Sequence, residues 1–321
     1  MTYKTYEDAR TTVVSHHQSG EYAKAMSILD AIRPQFPDDR IDIDYFRACI
    51  AVRLENTPLT YEIFDALLAD GIWFSEDLFR MSPSLALLQG KPEFEQRIKS
   101  HAELRAQSGD AYAPILHIRT PAGGGLLPVI FHLHGNGSGA LNEIEHWQAA
   151  VDAGWLVAAP NSPRTFWAGG GSFWPDHETA RTEIIKQLTD LRARHKLDKN
   201  NLIFSGFSMG GDIALAETLK GELAPARGFL LVGPGGPITD EPESLKPLIE
   251  TAKARNLRGA ILISESDSAI QGEKLKEVVN LLNAGGILTK FEKYPDIGHV
   301  YPSDFGARLS DLLGWITGNH S

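Results

Sequence analysis

Leu202-Ile203-Phe204-Ser205-Gly206-Phe207-Ser208-Met209-Gly210-Gly211 is the stretch that decides the fold of the larger part of this chain. Its first four residues are typical of a buried strand, and the helical stretch Gly211–Leu219 follows directly. Glycines stand two residues before and two residues after Ser208. Small residues at these positions let a strand pass straight into a helix. The stretch therefore predicts a tight turn that presents Ser208 at the amino end of a helix, where negative charge is stabilised.

Predicted strands alternate with predicted helices through the rest of this region. The strands are Ile115–Ile118, Pro128–Leu133, Trp155–Ala159, Leu202–Ser205, Gly228–Val232, Ala260–Ser264 and Leu288–Tyr294. The helices include Glu178–Arg194, Gly211–Leu219, Glu273–Asn283 and Asp304–Trp315. This alternation predicts an α/β fold, a mostly parallel sheet with helices on both faces.

The first part of the chain has helical periodicity and gives no clear strand. The predicted helices include Tyr6–His17, Tyr22–Ile32, Arg40–Leu54 and Leu59–Leu68. Gln107-Ser108-Gly109-Asp110 is typical of a linker. We therefore predict an all-helical domain over residues 1–108 and an α/β domain over residues 109–321.

A short segment of the helical part resembles a tetratricopeptide repeat. Gly20-Glu21-Tyr22-Ala23-Lys24-Ala25 is similar to the turn and second helix of that repeat, and Leu29, Ile32 and Pro37 follow at its spacing. Ile32 is larger than the usual residue, and no clear second copy follows. The segment favours a degenerate helical pair, and a surface for a protein partner or for a second copy of the chain stays open.

Composition and charge exclude several classes of protein. Hydrophobic residues make up 42% and charged residues 22% of the chain, and the net charge is −10. Residues 1–108 hold 17 acidic and 12 basic side chains, and the remainder holds 24 and 19, so neither part is basic. A surface for nucleic acid or for an anionic membrane is therefore not expected.

The cysteine content and the lengths of the apolar runs indicate the cellular compartment in which the protein is expected. The single cysteine, Cys49, excludes an intrachain disulfide and is expected to be a buried thiol. The chain shows neither a signal-peptide pattern at its start nor a run of the ~18 apolar residues that a membrane span needs. We expect a cytoplasmic location.

Two further motifs follow predicted strands in the α/β region. His132-Leu133-His134-Gly135-Asn136-Gly137 ends the strand Pro128–Leu133. Asp267 stands three residues after the strand Ala260–Ser264, and His299 follows the last strand. Like Ser208, these residues thus stand after predicted strands.

With these three motifs in this order, residues 110–321 resemble the α/β-hydrolase superfamily. The resemblance is to its carboxylesterase, phospholipase/carboxylesterase and dienelactone-hydrolase-like members, although dienelactone hydrolases proper use a cysteine nucleophile. It implies Ser208 as nucleophile, Asp267 as acid and His299 as base. It also implies an oxyanion hole from the backbone N–H groups of Asn136 and Met209, with Gly137 as the alternative to Asn136.

Other residues compete for the roles of acid and base. Glu265 and Asp296 are alternatives for the acid, because loop lengths vary in this region. His132, His134 and His177 are weaker alternatives for the base, since none of them follows the last strand.

A glycine-rich loop, Arg164–Pro175, carries four aromatic residues. It leaves the carboxyl end of a predicted strand, where ligands of open α/β sheets bind. We predict that Phe166, Trp167, Phe173 and Trp174 contact the substrate, and packing of the loop onto the protein is an equal alternative.

The sequence favours a serine hydrolase that cleaves a small or medium ester through an acyl-enzyme. Amide or peptide hydrolysis uses the same residues and stays open. A second class is an interaction protein, with helices fused to a hydrolase fold that has lost its chemistry. No cofactor is expected, and the chain contains neither the metal-binding motif His-Glu-x-x-His nor a phosphate-binding P-loop.

We predict that the helices of residues 1–105 pack on the α/β domain and shape access to its site. Apolar side chains from helices such as Phe74–Leu88 would otherwise stay in water, and the short linker favours docking. Removing residues 1–109 is then expected to give insoluble protein or an altered preference among aryl esters of increasing chain length. Soluble, stable protein with the selectivity of the full chain would contradict this prediction.

Overall fold

The computed structural model describes residues 3–108, 115–168, 170–267 and 269–318. The chain divides into two units, one formed by Met1–Ala111 with Phe166–Gly169, the other by Tyr112–Thr165 with Gly170–Ser321. The linker predicted at Gln107-Ser108-Gly109-Asp110 is wrong for its first two residues, which end a helix, and its other two lie outside the described part of the chain.

The chain begins with a series of helices, as predicted. The helices of the first unit are α1 (Tyr6–Gln18), α2 (Tyr22–Ile32), α3 (Arg40–Arg53), α4 (Thr57–Ala69), α5 (Glu76–Met81) and α6 (Pro92–Ser108), with 3₁₀ turns at Pro37–Asp39 and Leu85–Leu88. The prediction of one helix over Phe74–Leu88 is wrong, because the helical path stops at Ser82. Pro83 follows and disfavours the helical conformation at the residue before it, and Ser82 is extended, at φ −70° and ψ 115°.

The core of this unit includes the segment that resembles a tetratricopeptide repeat. Ala25, Leu29 and Ile32 of α2 are buried in one cluster with Ala9 and Val13 of α1. The small Ala25 thus lies at the packed face of α2, although the repeat assignment itself stays a prediction.

Cys49 of α3 is buried, which confirms the prediction of a buried thiol. Its Sγ lies 3.6 Å from Ser82 Oγ. Burial raises the pKa of this thiol to about 11, so it is protonated and unreactive at neutral pH.

The second unit is built on a sheet. Its strands are β1 (Leu116–Arg119), β2 (Leu127–Leu133), β3 (Leu156–Pro160), β6 (Leu197–Phe207), β7 (Gly228–Val232), β8 (Arg258–Ser264) and β9 (Leu288–Tyr294), with the short strand β5 (Gly170–Ser172) outside the sheet. The short strand β4 (Thr165–Trp167) begins in this unit at Thr165, and its other two residues belong to the first unit. The order across the sheet is β1-β3-β2-β6-β7-β8-β9. Strand β1 is antiparallel to β3, and the other neighbouring strands are parallel.

Helices cover both faces of this sheet. They are α7 (Ala140–Glu143), α8 (Gln148–Asp152), α9 (His177–Arg194), α10 (Met209–Lys220), α11 (Pro237–Asp240), α12 (Lys246–Ala252), α13 (Gly272–Ala284) and α14 (Phe305–Thr317), with 3₁₀ turns at Ile144–Trp147, Pro242–Leu245 and Lys253–Arg255. Val129, Phe131 and Leu133 of β2 lie in the core cluster that includes α9, α10 and α13. Ile130 lies in the opposite cluster, which includes α8 and α14. This alternation along one strand confirms the predicted fold class.

The parallel strands deliver the candidate site to one edge of the sheet. The segments that follow β2, β6, β7, β8 and β9 all leave at the carboxyl ends of adjacent strands. Ser208, Asp267 and His299 lie on three of these segments. No helix in the described ranges is both long and apolar enough to cross a membrane.

Two glycines permit the passage from β6 to α10. A Cβ at Gly206 would lie 2.2 Å from the carbonyl carbon of Gly210. A Cβ at Gly210 would lie 2.2 Å from Leu133 O, at the end of β2. Because these neighbours are backbone atoms in a packed sheet, a side chain at either position forces strands and helix apart.

Replacing Gly206 with alanine is expected to lower the free energy of unfolding by about 3 kcal/mol, because the added methyl group overpacks backbone that cannot move aside. Chemical denaturation of purified protein measures the change. The control is Gly124→Ala, where a Cβ would meet no atom within 4 Å. Equal stability of the two variants would show that the turn tolerates a side chain.

Candidate active site

Ser208 occupies a strained turn between β6 and α10. Its backbone lies at φ 51° and ψ −125°, a conformation that residues with a side chain rarely adopt. The Ser208 N–H donates to Val232 O at 3.1 Å, and Ser208 O accepts from the Gly235 N–H at 3.1 Å. Both contacts tie the turn to the end of β7. The strain is therefore held by the neighbouring strand, and the serine sits at the amino end of α10.

Asp267 and His299 form a hydrogen-bonded pair. His299 Nδ1 lies 2.7 Å from Asp267 Oδ2, and the Asp267 side chain is 1% exposed. The other carboxylate oxygen, Oδ1, accepts from the N–H groups of Ala269 and Ile270 at 2.9 and 3.0 Å. An acceptor-only carboxylate at Nδ1 selects the histidine tautomer whose Nε2 has a free lone pair.

The pair lies close to the Ser208 turn. The ring of Phe207, the residue before Ser208, lies 4.5 Å from the His299 ring between centroids. A Cβ at Gly233, directly after β7, would lie 2.9 Å from His299 Cε1 and 3.4 Å from Asp267 Oδ2. His299 Nε2 is buried and has no hydrogen-bond partner within the described ranges. This nitrogen is therefore available as a proton acceptor.

The alternative acids make other contacts. Asp296 Oδ2 accepts from the Ser303 N–H at 3.3 Å, and the Asp296 carbonyl accepts from the hydroxyl groups of Ser264 and Ser266. Glu265 is exposed. Among the described contacts, His299 is paired with Asp267 and with neither alternative.

The histidines that were alternatives for the base have hydrogen-bond partners other than Asp267. His134 is buried, and burial lowers its pKa. It accepts the Ser162 N–H at Nε2. His177 Nε2 lies 2.8 Å from Asp212 Oδ2, and His132 Nε2 lies 2.9 Å from Glu143 Oε2.

The turn after β2 lies against Ser208. A Cβ at Gly135 would lie 3.2 Å from Ser208 Cβ. The Gly137 N–H donates to Ser172 O at 2.8 Å, so it is occupied. No acceptor in the described part of the chain takes the N–H of Asn136 or of Met209. These two donors are free to bind an oxyanion, and their assignment stays a prediction.

Trp174 donates two hydrogen bonds to this turn. Its indole N–H donates to His134 O at 2.9 Å, and its backbone N–H donates to Asn136 Oδ1 at 2.8 Å. The Trp174 and His134 rings stack with centroids 4.9 Å apart. Trp174 and its neighbour Phe173 are 1% and 0% exposed.

The first two aromatic residues of the loop belong to the helical unit. Residues 166–169 are part of that unit, and the Ser75 N–H donates to Phe166 O at 2.7 Å. Trp73 O accepts from the Ala168 N–H at 3.0 Å in the same segment. Substrate contact by Phe166, Trp167, Phe173 and Trp174 stays a prediction.

Two cavities of the second unit lie at opposite ends of the strands. One of about 400 Å³ lies at the carboxyl edge and is lined by residues that include Glu143, His146, Phe207 and Tyr301. Another of about 710 Å³ lies at the amino ends of β2 and β6 and is lined by residues that include Leu126, Leu188 and Leu197. The first shares Phe207 with the Ser208 turn, and the lining of the second includes no residue of that turn.

Sequence reasoning missed Glu143 and Tyr301, which line the cavity at the carboxyl edge, beside the turn after β2. Tyr301 lies two residues after His299, and that position was the only signal available. Glu143 lies in α7, a helix of 4 residues that gives no periodicity to read. In the part of the chain that the structure describes, no group of three or more His, Cys, Asp or Glu side chains is placed to hold a metal ion.

Comparisons with known proteins bear on the fold. No protein-family model matches the chain, and no curated protein matches it. The solved structure of an uncharacterized protein from Bacillus cereus is similar, with 19% identity and a TM-score of 0.55 over 98% of this chain and all of that chain. The structure of the esterase PE8 has 21% identity and a TM-score of 0.51 over 62% of this chain and 99% of that chain. At these identities the similarity shows the fold alone. The chain has an α/β-hydrolase fold preceded by helices.

Asp267→Asn is expected to lower kcat by about 10⁴-fold, because an amide at this position favours the wrong histidine tautomer. Asp296→Asn is the matched control, and a change within about threefold is expected, since its side chain accepts the Ser303 N–H and does not contact His299 among the described hydrogen bonds. Initial rates on an aryl ester measure both. A larger loss in Asp296→Asn would move the acid to that residue.

Proposed function

We propose that this protein is a serine hydrolase that cleaves carboxylic esters of small or medium size through an acyl-enzyme. The observation that carries the proposal is the hydrogen bond between the buried Asp267 carboxylate and His299, beside the strained Ser208 turn. A hydrolase fold can lose its chemistry, but such a protein has no need of a buried carboxylate aimed at a histidine whose other nitrogen has no hydrogen-bond partner among the described residues. The esterase name of one structural neighbour agrees with this function.

In acylation, His299 Nε2 takes the Ser208 hydroxyl proton as Oγ attacks the ester carbonyl carbon. The ionised Asp267 carboxylate stabilises the resulting imidazolium. The carbonyl oxygen becomes an oxyanion, which the N–H groups of Asn136 and Met209 stabilise. The C–O bond to the alcohol then breaks, and His299 returns its proton to the departing alcohol.

In deacylation, water takes the place of the alcohol. His299 accepts a proton from water as its oxygen attacks the acyl carbon, and the same two N–H groups stabilise the second oxyanion. The bond from carbon to Ser208 Oγ breaks, the serine regains a proton from His299, and the carboxylic acid leaves. Amides follow the same route with a poorer leaving group. Rates on matched ester and amide substrates measure the preference between the two classes.

The domain assignment belongs to this proposal. We assign the chemistry to residues 109–321, because the nucleophile, acid, base and oxyanion donors all come from that part. Residues 1–108 supply no catalytic group in this scheme.

Ser208→Ala is expected to lower kcat by about 10⁴-fold or more and to abolish labelling by a fluorophosphonate, because the nucleophile is lost while little packing changes. Labelling is read by mass spectrometry, and thermal unfolding checks that the fold is kept. The exposed Ser244→Ala serves as control and is expected to label like wild type. Wild-type protein that fails to label under conditions that label a known esterase would contradict the proposal. It would favour the alternative of an interaction protein with an inactive hydrolase fold.

A further inference from the structure

Glu143 is a buried carboxylate next to the turn after β2. The residue is 4% exposed, and it ends the short helix α7. Its Oε1 accepts the Gly135 N–H at 2.8 Å. Its Oε2 lies 2.9 Å from His132 Nε2. One carboxylate thus links the strand end at His132 to the turn at Gly135.

Both ring nitrogens of His132 have a polar neighbour. Nδ1 lies 3.3 Å from Ser205 Oγ, which donates to Leu230 O at 2.6 Å. Nε2 lies within hydrogen-bond distance of Glu143 Oε2, which accepts when ionised. Burial favours the neutral acid, but the hydrogen bond and charge of His132 outweigh it and hold the pKa of Glu143 below its usual value.

Tyr301 joins the same group from the segment that carries His299. Its hydroxyl donates to Glu143 Oε2 at 3.3 Å and lies 3.1 Å from His132 Nε2. Burial and the Glu143 carboxylate raise the pKa of Tyr301 well above its ordinary value, so the phenol stays a donor. The Tyr301 ring stacks on Phe207, with centroids 5.1 Å apart and an 18° angle between planes.

We propose that Glu143 is a positioning residue that fixes the oxyanion turn relative to Ser208 and, through Tyr301, the segment that carries His299. The inference rests on the proposed function, since it concerns groups assigned there to the oxyanion hole and the base. Gly135 directly precedes Asn136, whose N–H is the proposed donor. A Cβ at Gly135 would lie 2.8 Å from Phe207 Cδ1, so the turn has little free space on the other side.

The expected cost of losing this carboxylate follows from the geometry of the oxyanion. A donor displaced by ~1 Å loses much of its effect on the transition state and can cost ~10²-fold in rate. Substrate binding before attack does not use the N–H groups that stabilise the oxyanion. Both acylation and deacylation do, so kcat falls whichever step limits turnover and KM changes little.

Glu143→Gln keeps the shape of the side chain and removes its charge. We expect kcat on p-nitrophenyl butyrate to fall by about 10- to 100-fold, KM to stay within about twofold, and fluorophosphonate labelling to slow in parallel. Glu145→Gln is the matched control, an exposed glutamate two residues away that pairs with Arg119 on the surface. Wild-type kcat in Glu143→Gln, or a loss that falls on KM alone, would overturn the proposal.

Tyr301→Phe provides a second variant, should Glu143→Gln fail to fold. It removes one hydroxyl and keeps the stack on Phe207, and we expect kcat to fall by about fivefold with unchanged KM. Unchanged kcat in this variant would overturn the link from Glu143 to the His299 segment.

Hydrogen exchange separates this inference from the proposed function. Peptides that cover the Gly135 amide are expected to exchange faster in Glu143→Gln than in wild type or Glu145→Gln, whether or not the protein hydrolyses esters. A wild type that neither labels nor turns over esters would defeat the proposed function, while this exchange would still report whether Glu143 holds the turn. Equal exchange rates would defeat the positioning role itself.

Discussion

The backbone of Ser208, held at φ 51° between β6 and α10, is the constraint on which the candidate site depends. A residue with a side chain enters this conformation only when its surroundings impose it. Here the end of β7 accepts one backbone hydrogen bond from the turn, and Gly235, in the segment after β7, donates another. Glycines at 206 and 210 let backbone pass where no Cβ fits. The turn after β2 and the His299 segment then pack against Phe207 and Ser208. The stability of the sheet thus maintains a strained serine.

Two buried carboxylates, Asp267 and Glu143, lie on segments that pack near the Ser208 turn, and both accept hydrogen bonds in the same pattern. Asp267 receives backbone N–H groups on one oxygen and His299 on the other. Glu143 receives the Gly135 N–H on one oxygen and His132 on the other. Because a buried charge is costly unless hydrogen-bonded, each carboxylate stabilises only the arrangement that satisfies both of its oxygens. One therefore orients the proposed base, and the other orients the proposed oxyanion turn.

The aromatic loop shows why composition alone assigns no role to a side chain. Phe173 and Trp174 are buried, and Trp174 donates both of its N–H groups to the turn after β2. Residues 166–169 instead fold with the helical unit through backbone hydrogen bonds to Trp73 and Ser75. The four aromatic residues for which we predicted one shared role therefore lie in two structural environments.

Sequence by itself did not predict α6 or the short strands β4 and β5, but it determined the strands of the sheet, most of the other longer helices and the position of the Ser208 turn. These follow from periodicity and from the need for glycine beside a sharp turn, both of which are local along the chain. It also showed the order of the proposed serine, acid and histidine along the chain. It left Glu265 and Asp296 as alternatives to Asp267, because Glu265 follows the same strand as Asp267 and Asp296 follows the neighbouring strand. Only the tertiary structure decided that Asp267 faces His299, that Gly137 is occupied by Ser172, and that Glu143 meets Tyr301. Those contacts join residues far apart in sequence, and their geometry is set by how strands and helices pack rather than by any pattern within one segment.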